Sequence, residues 1–194
     1  MSKVFKACIC ILMCMCLTGC SRFEEPITET TLQVSKGGAV VETIVEMFDK
    51  DYYNVDELKG EISDAIMQYP GAADSIKFDD IHTEDNNVYV TLEFASLKDY
   101  EQFQKKEAFY GSINDAYDAG YSMDVTLKGI KEGDKISKAE LMQMSDEKII
   151  IVSEPVCLRT PYKIAYVSAN VEVIDSKCAR ISNESTGLAY VVLK

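Results

Sequence analysis

The chain has 194 residues, 32 of them acidic and 20 basic, and carries a net charge of −12 with a single histidine. Such a surface repels nucleic acid and anionic lipid head groups and argues against both as partners. Apolar residues make up 47% of the sequence, which sets it apart from acidic disordered chains and supplies a core for one domain or two small ones.

Read from its start, the chain opens with positive charge at Lys3 and Lys6, then an unbroken apolar and cysteine run from Ala7 to Leu17. That run is too short to span a bilayer and has the length of a signal-peptide core. It ends in Leu17-Thr18-Gly19-Cys20. The arrangement resembles the lipobox of bacterial lipoproteins, in which Leu, a small residue, and Gly or Ala precede a cysteine. The resemblance implies cleavage between Gly19 and Cys20. It also implies a diacylglycerol thioether on Cys20, with fatty chains of the palmitate kind, and a location on the outer face of the cell membrane. Each buried methylene contributes about 0.8 kcal/mol, so lasting attachment takes two or more chains. In a host with two membranes, Ser21 after the cysteine permits sorting to the outer one.

Removing residues 1–19 leaves 175, and the loss of Lys3 and Lys6 takes the net charge from −12 to −14. Four of the seven cysteines (Cys8, Cys10, Cys14 and Cys16) leave with the leader. Cys20 is lipidated, so Cys157 and Cys178 are the thiols left to consider.

Residues 20–29 read as a polar spacer with Pro26. Nine extended residues reach roughly 30 Å, which holds the folded body close to the membrane. Thr30 to Val34, the turn Lys36-Gly37-Gly38, and Ala39 to Phe48 predict a hairpin. Asn54, with Glu57 three residues on, opens a helix whose apolar face is Val55, Leu58, Ile62, Ala65, Ile66 and Tyr69. Pro70-Gly71 stops it. Ser75 to Glu84 and Val88 to Ala95 predict a second hairpin about Glu84-Asp85-Asn86-Asn87, where Val88, Val90, Leu92 and Phe94 alternate with polar residues. Ser96 and Ser112 cap two short helices, with Phe109-Tyr110-Gly111 read as a turn between them and Gly120 as the second stop. Met123 to Lys128 predicts a strand, Gly129 and Gly133 a loop, and Ser137 with Glu140 a further capping box.

From Lys148 the pattern is all strand: Ile149 to Val152, Val156 to Leu158, Lys163 to Ala169, Val171 to Ile174, Cys178 to Ile181 and Leu188 to Leu193. The expected class is α+β, with antiparallel hairpins and three to four short helices followed by a C-terminal all-β meander. The expected divisions are a leader over 1–19, the lipidated cysteine and spacer over 20–29, an α+β domain over 30–146 and a β-meander subdomain over 147–194. The meander either packs on the first part or stands as a subdomain.

No stretch dictates a chemistry. His82 has no cysteine near it in sequence and reads as an exposed strand residue. The acidic run Asp49 to Glu57 fails the calcium-loop pattern, because Tyr53 and Asn54 stand where an oxygen ligand and glycine belong. No metal or cofactor is expected. Cys157 and Cys178, in neighbouring predicted strands outside the cytoplasm, form either a disulfide or two separate buried thiols. Tyr100, Phe103, Phe109, Tyr110, Tyr117 and Tyr121 cluster in sequence and are read either as helical core packing or as the lining of a binding pocket.

The body resembles the uncharacterised lipoproteins of Gram-positive gut anaerobes, through Phe109-Tyr110-Gly111-Ser112, Ala119-Gly120-Tyr121, Ile151-Val152-Ser153-Glu154-Pro155 and Gly187-Leu188-Ala189-Tyr190. The likeness implies the outer face of a single membrane and brings no activity with it. The expected role is a non-enzymatic module that binds an envelope protein or glycan while held to the membrane by lipid. An Asp/Glu-dependent hydrolase of envelope or dietary polymer is the alternative, and a solute-capturing lipoprotein a second one.

Overall fold

The computed structural model describes residues 26–131, 134–182 and 187–194. The leader, Cys20, most of the spacer, Glu132, Gly133 and residues 183–186 lie outside them.

Two hairpins build one half of the first sheet. β1 (Thr31–Val34) pairs antiparallel with β2 (Val40–Met47) across a turn closed by Gly38 N–H donating to the Ser35 carbonyl at 3.0 Å. Gly38 has φ +87°, a left-handed conformation that favours glycine. β3 (Ile76–Glu84) and β4 (Asn87–Phe94) form the second hairpin. Its ladder runs to Glu84 opposite Asn87, so the loop is only Asp85-Asn86, with φ +48° and +64°. Two left-handed residues are what a tight hairpin with right-twisted strands requires.

The capping signals translate directly into bonds. Asn54 Oδ1 accepts from the N–H groups of Asp56 and Glu57 at 2.9 and 3.2 Å and starts α1 (Val55–Gln68). Ser96 Oγ accepts from Asp99 N–H at 3.1 Å and starts α2 (Leu97–Gln104). Reciprocal boxes start α3 (Ile113–Asp118) through Ser112 and Asp115, and α4 (Lys138–Gln143) through Ser137 and Glu140.

The class is α+β with a strand-rich C-terminal region, as expected. Three local readings are corrected. Phe109-Tyr110-Gly111 is no turn but the middle of β5 (Ala108–Ser112). Tyr110 faces one core and Phe109 the other, so the stretch lacks the polar alternation that marks a strand. The strand expected over Met123 to Lys128 forms only at its end, as β6 (Leu127–Gly129). The loop after Gly129 contains β7 (Lys135–Ile136), which has too few residues to leave a periodic signal.

The remaining strands are β8 (Lys148–Val152), β9 (Cys157–Arg159), β10 (Ile164–Val167), β11 (Val171–Asp175), β12 (Cys178–Ile181) and β13 (Ala189–Leu193). They are dealt between two sheets. Among the described residues one sheet has the order β11-β12-β9-β1-β2-β4-β3, the other β5-β8-β13-β10-β6-β7. β9 joins β1 in parallel, and every other pairing is antiparallel.

Two cores follow from this. Leu32, Val34, Val40, Leu158 and Ala179 of the seven-stranded sheet meet Ile150, Val152, Ile164, Val191 and Leu193 of the six-stranded one. α1 and α2 extend that core over β2, β3 and β4, with Leu58 and Ile62 half-buried and Leu97 and Tyr100 buried. The other face of the six-stranded sheet presents Ile149, Ile151, Tyr190 and Val192 to Ile113, Ala116 and Leu141 of α3 and α4. β8 and β13 are therefore covered on both faces. That is why Ile149-Ile150-Ile151-Val152 is apolar without alternation.

Candidate functional site

β5 is an edge strand, and a groove of about 930 Å³ runs beside it. One wall is the β1–β2 turn, Lys36-Gly37-Gly38, with Gly38 against the Tyr110 ring. Another is the first half of α2, from Ser96 to Glu101. The third is the segment after α3, Ala119 to Ser122. Gly120 there has φ +95°, and Tyr121 N–H bonds back to the Ala116 carbonyl at 3.0 Å. This return lays Tyr121 on Phe109, with ring centroids 5.2 Å apart. Tyr190 of β13 and Leu188 complete the lining.

The groove is charged at both ends of β5. Glu107 precedes Ala108, and Glu101 lines the same end from α2. Tyr121 is pushed up to about 12, first by burial and then by Glu101 and Glu107. Tyr190 is raised by burial and then by Glu107. Lys148 stands at the other end, opposite Ser112 in the ladder. Tyr110 Oη donates to the Lys36 carbonyl at 3.4 Å, which ties the turn to the strand.

The six aromatic residues singled out in the sequence divide evenly. Phe109, Tyr110 and Tyr121 line the groove. Tyr100 and Phe103 pack into the first core, edge-on and tilted against Phe94 at 5.5 and 5.9 Å. Tyr117 is exposed on α3. Tyr190, Leu188, Lys36 and Lys148 escaped the sequence reading because they come from strands and turns far away in the chain; only the topology unites them.

Beside α2 lies a part-buried polar network. Glu42 of β2 is 3% exposed and accepts from Gln104 Nε2 at 2.5 Å. Burial, reinforced by the nearby Glu154, raises its carboxyl to about 7 despite that bond. Tyr100 Oη donates to Glu154 Oε2 at 2.7 Å, and Lys106 Nζ is 3.4 Å from the other oxygen of that carboxylate. Burial and these two glutamates push the Tyr100 phenol well above its ordinary value. Glu42 is buried and Glu154 half-buried, and neither lines the groove.

His82 is exposed, 2.8 Å from Asp80 and stacked on Tyr89 at 4.9 Å. No group of three metal-ligating side chains stands together among the described residues. Within the acidic run, Asn54 serves the helix cap and Lys50 pairs with Asp49 at 2.9 Å. The sulfurs of Cys157 and Cys178 lie 3.4 Å apart as free thiols on the adjacent strands β9 and β12. They meet on a diagonal, since Cys157 is opposite Arg180 and Cys178 opposite Arg159. Burial, then the Cys157 contact, pushes the Cys178 thiol up to about 12. No described helix is long and apolar enough to cross a membrane.

No family model matches the chain, and neither the curated proteins nor the solved structures contain a match.

Proposed function

We propose that this chain is a lipid-anchored binding module of the cell envelope, held at Cys20 and working outside the membrane, with the groove beside β5 as its binding site. The observation that carries the reading is the groove itself. It is large, its floor is aromatic through Phe109, Tyr121 and Tyr190, and its lining carries charge of both signs, Lys36, Lys98 and Lys148 with Glu101 and Glu107. Pockets of this composition, with apolar surface and a few placed polar groups, are where ligands are held.

Its position suits a tethered protein. The chain enters β1 from Glu29 and Thr30, where Cys157 N–H donates to the Thr30 carbonyl at 2.9 Å. β1 then runs to the turn at Lys36-Gly37-Gly38, which forms a wall of the groove. Entry and groove are thus at opposite ends of that strand. A body attached by its N-terminal spacer presents the groove away from its point of attachment. The excess of acidic residues keeps that body off anionic head groups while the lipid holds it near.

Two measurements test this. Intact mass of the native protein should correspond to a chain starting at Cys20 with a diacylglycerol and acyl adduct; a chain starting at Met1 without added mass refutes the anchor. A photo-activatable residue at position 109 should form adducts in living cells, while the same residue at position 117, outside the groove, should form few. Equal labelling at both positions refutes the site.

A further inference from the structure

The edge of β5 differs from every other sheet edge among the described residues. Edge strands offer unpaired backbone groups, and proteins protect them with charges, bulges or shortness. β3 carries Lys77, Asp79, Asp80 and Glu84 and shifts register between Phe78 and Asp80. β11 carries Glu172 and Asp175 and shifts between Val173 and Asp175. β7 has two residues. β5, Ala-Phe-Tyr-Gly-Ser, has no charged residue, and its ladder with β8 runs without a shift over all five positions.

The ladder also says which backbone groups face the groove. Ser153 N–H donates to the Glu107 carbonyl at 2.9 Å, and Ile113 N–H to the Glu147 carbonyl at 3.0 Å. In an antiparallel pair, bonded residues alternate with residues whose N–H and C=O point the other way. Glu107, Phe109, Gly111 and Ile113 therefore bond to β8, and Ala108, Tyr110 and Ser112 turn outward. Ser112 N–H is taken by Asp115 in the α3 cap at 3.0 Å. Tyr110 turns one donor and one acceptor toward the groove, and Ala108 turns its own the same way from a position that is only 5% exposed.

From this we infer that the ligand is an extended segment of a partner polypeptide, which adds to the six-stranded sheet as a strand beside β5. The inference rests on the groove being the binding site and names what fills it. Five residues of strand span about 16 Å, so four to six residues of ligand pair with it. Antiparallel addition, the more stable form, brings the start of the segment to Lys148 and its end to Glu101 and Glu107. The preferred segment thus has alternating side chains, an acidic residue first and a basic residue last. A second copy of this chain fits poorly, because β5 is recessed between the 36–38 turn, α2 and the 119–122 segment. Backbone pairing supplies the affinity and the charged ends the direction.

The test uses an acetylated, amidated hexapeptide of alternating valine and threonine that begins with glutamate and ends with lysine. Two companions serve as controls: the same peptide N-methylated at the residues that would face β5, and one with the end charges exchanged. Binding to the full mature chain is followed by titration and by amide NMR. The parent peptide should shift the Ala108 and Tyr110 amides and slow their exchange. N-methylation, which removes backbone donors without touching the protein's folding, should weaken binding about tenfold or more. Exchanging the end charges should weaken it by a smaller factor. Equal affinity of the methylated peptide overturns strand addition, as does absence of binding by the parent at about 1 mM. Sedimentation that shows a dimer protecting the Tyr110 amide also overturns it, giving the edge to a second copy. A trimer of N-acetylglucosamine that shifts Tyr121 and Tyr190, where the peptides do nothing, would refute strand addition and keep the groove as a binding site. Failure of both probes removes the site as well.

Discussion

Replacing Glu42 with glutamine should make the protein more stable at neutral pH. Glu42 sits on the core face of β2, opposite Leu32 of β1 and Leu92 of β4, and is 3% exposed. Its carboxyl is raised from 4.5 to about 7, chiefly by burial. Between those values the folded protein holds a proton that the unfolded chain has released. Stability therefore falls as pH rises through that window, and is highest below it. A pKa unit corresponds to 1.36 kcal/mol, so the cost of keeping Glu42 in place above pH 7 reaches about 3 kcal/mol. Glu42→Gln has the same length, stays neutral, and keeps an oxygen that can accept from Gln104. It should match the native protein near pH 4.5 and exceed it by about 2–3 kcal/mol near pH 8. Urea unfolding at a series of pH values, read by linear extrapolation, measures the difference directly. A gap that does not widen with pH, or a native protein more stable than the variant near pH 8, refutes the reasoning.

Three further outcomes follow from the same architecture. Tyr100→Phe keeps the ring against Phe94 but loses the 2.7 Å bond to Glu154, and should cost about 1–2 kcal/mol in the same urea assay; an unchanged midpoint would contradict the role given to that hydroxyl. Gly38→Ala forces a side chain into φ +87° and should lower stability by about 1 kcal/mol in thermal unfolding, with no close contact to blame since the added methyl would sit 3.5 Å from Tyr110. A mild thiol oxidant such as diamide should couple Cys157 to Cys178, each thiol losing a hydrogen to the oxidant. Closing a loop of about twenty residues stabilises by about 3 kcal/mol in the chain-entropy model; two thiols still alkylatable after oxidation and unfolding would rule the bridge out.

What the sequence made legible was local. The β3–β4 hairpin announced itself because Val88, Val90, Leu92 and Phe94 all face one core while the residues between them face outward. Helix starts were readable because Asn54, Ser96, Ser112 and Ser137 act on groups within three residues of themselves. The Ile149 to Val152 run was readable as a strand, and its lack of alternation reflects two covered faces. β5 was hidden for a related reason: its two aromatic residues, half-buried, pack toward different cores, and a strand only five residues long with a glycine in it looks like a turn between helices. The groove was half visible. Phe109, Tyr110 and Tyr121 are near each other in the chain, but Tyr190 reaches them only because β13 and β5 flank β8. The two cysteines could be placed on strands, yet their contact depends on a diagonal register that composition does not encode.

The parallel pairing of β1 with β9 has a consequence for how the molecule comes into being. Thr31 finds Cys157 126 residues downstream, and Ala108 cannot complete its ladder until Val152 has been made. Sequence-distant partnerships of this kind slow the search for the native state. During synthesis the first half of the polypeptide waits with two bare strand flanks, so it is the stage at which the chain is most vulnerable to mispairing and most in need of chaperone cover.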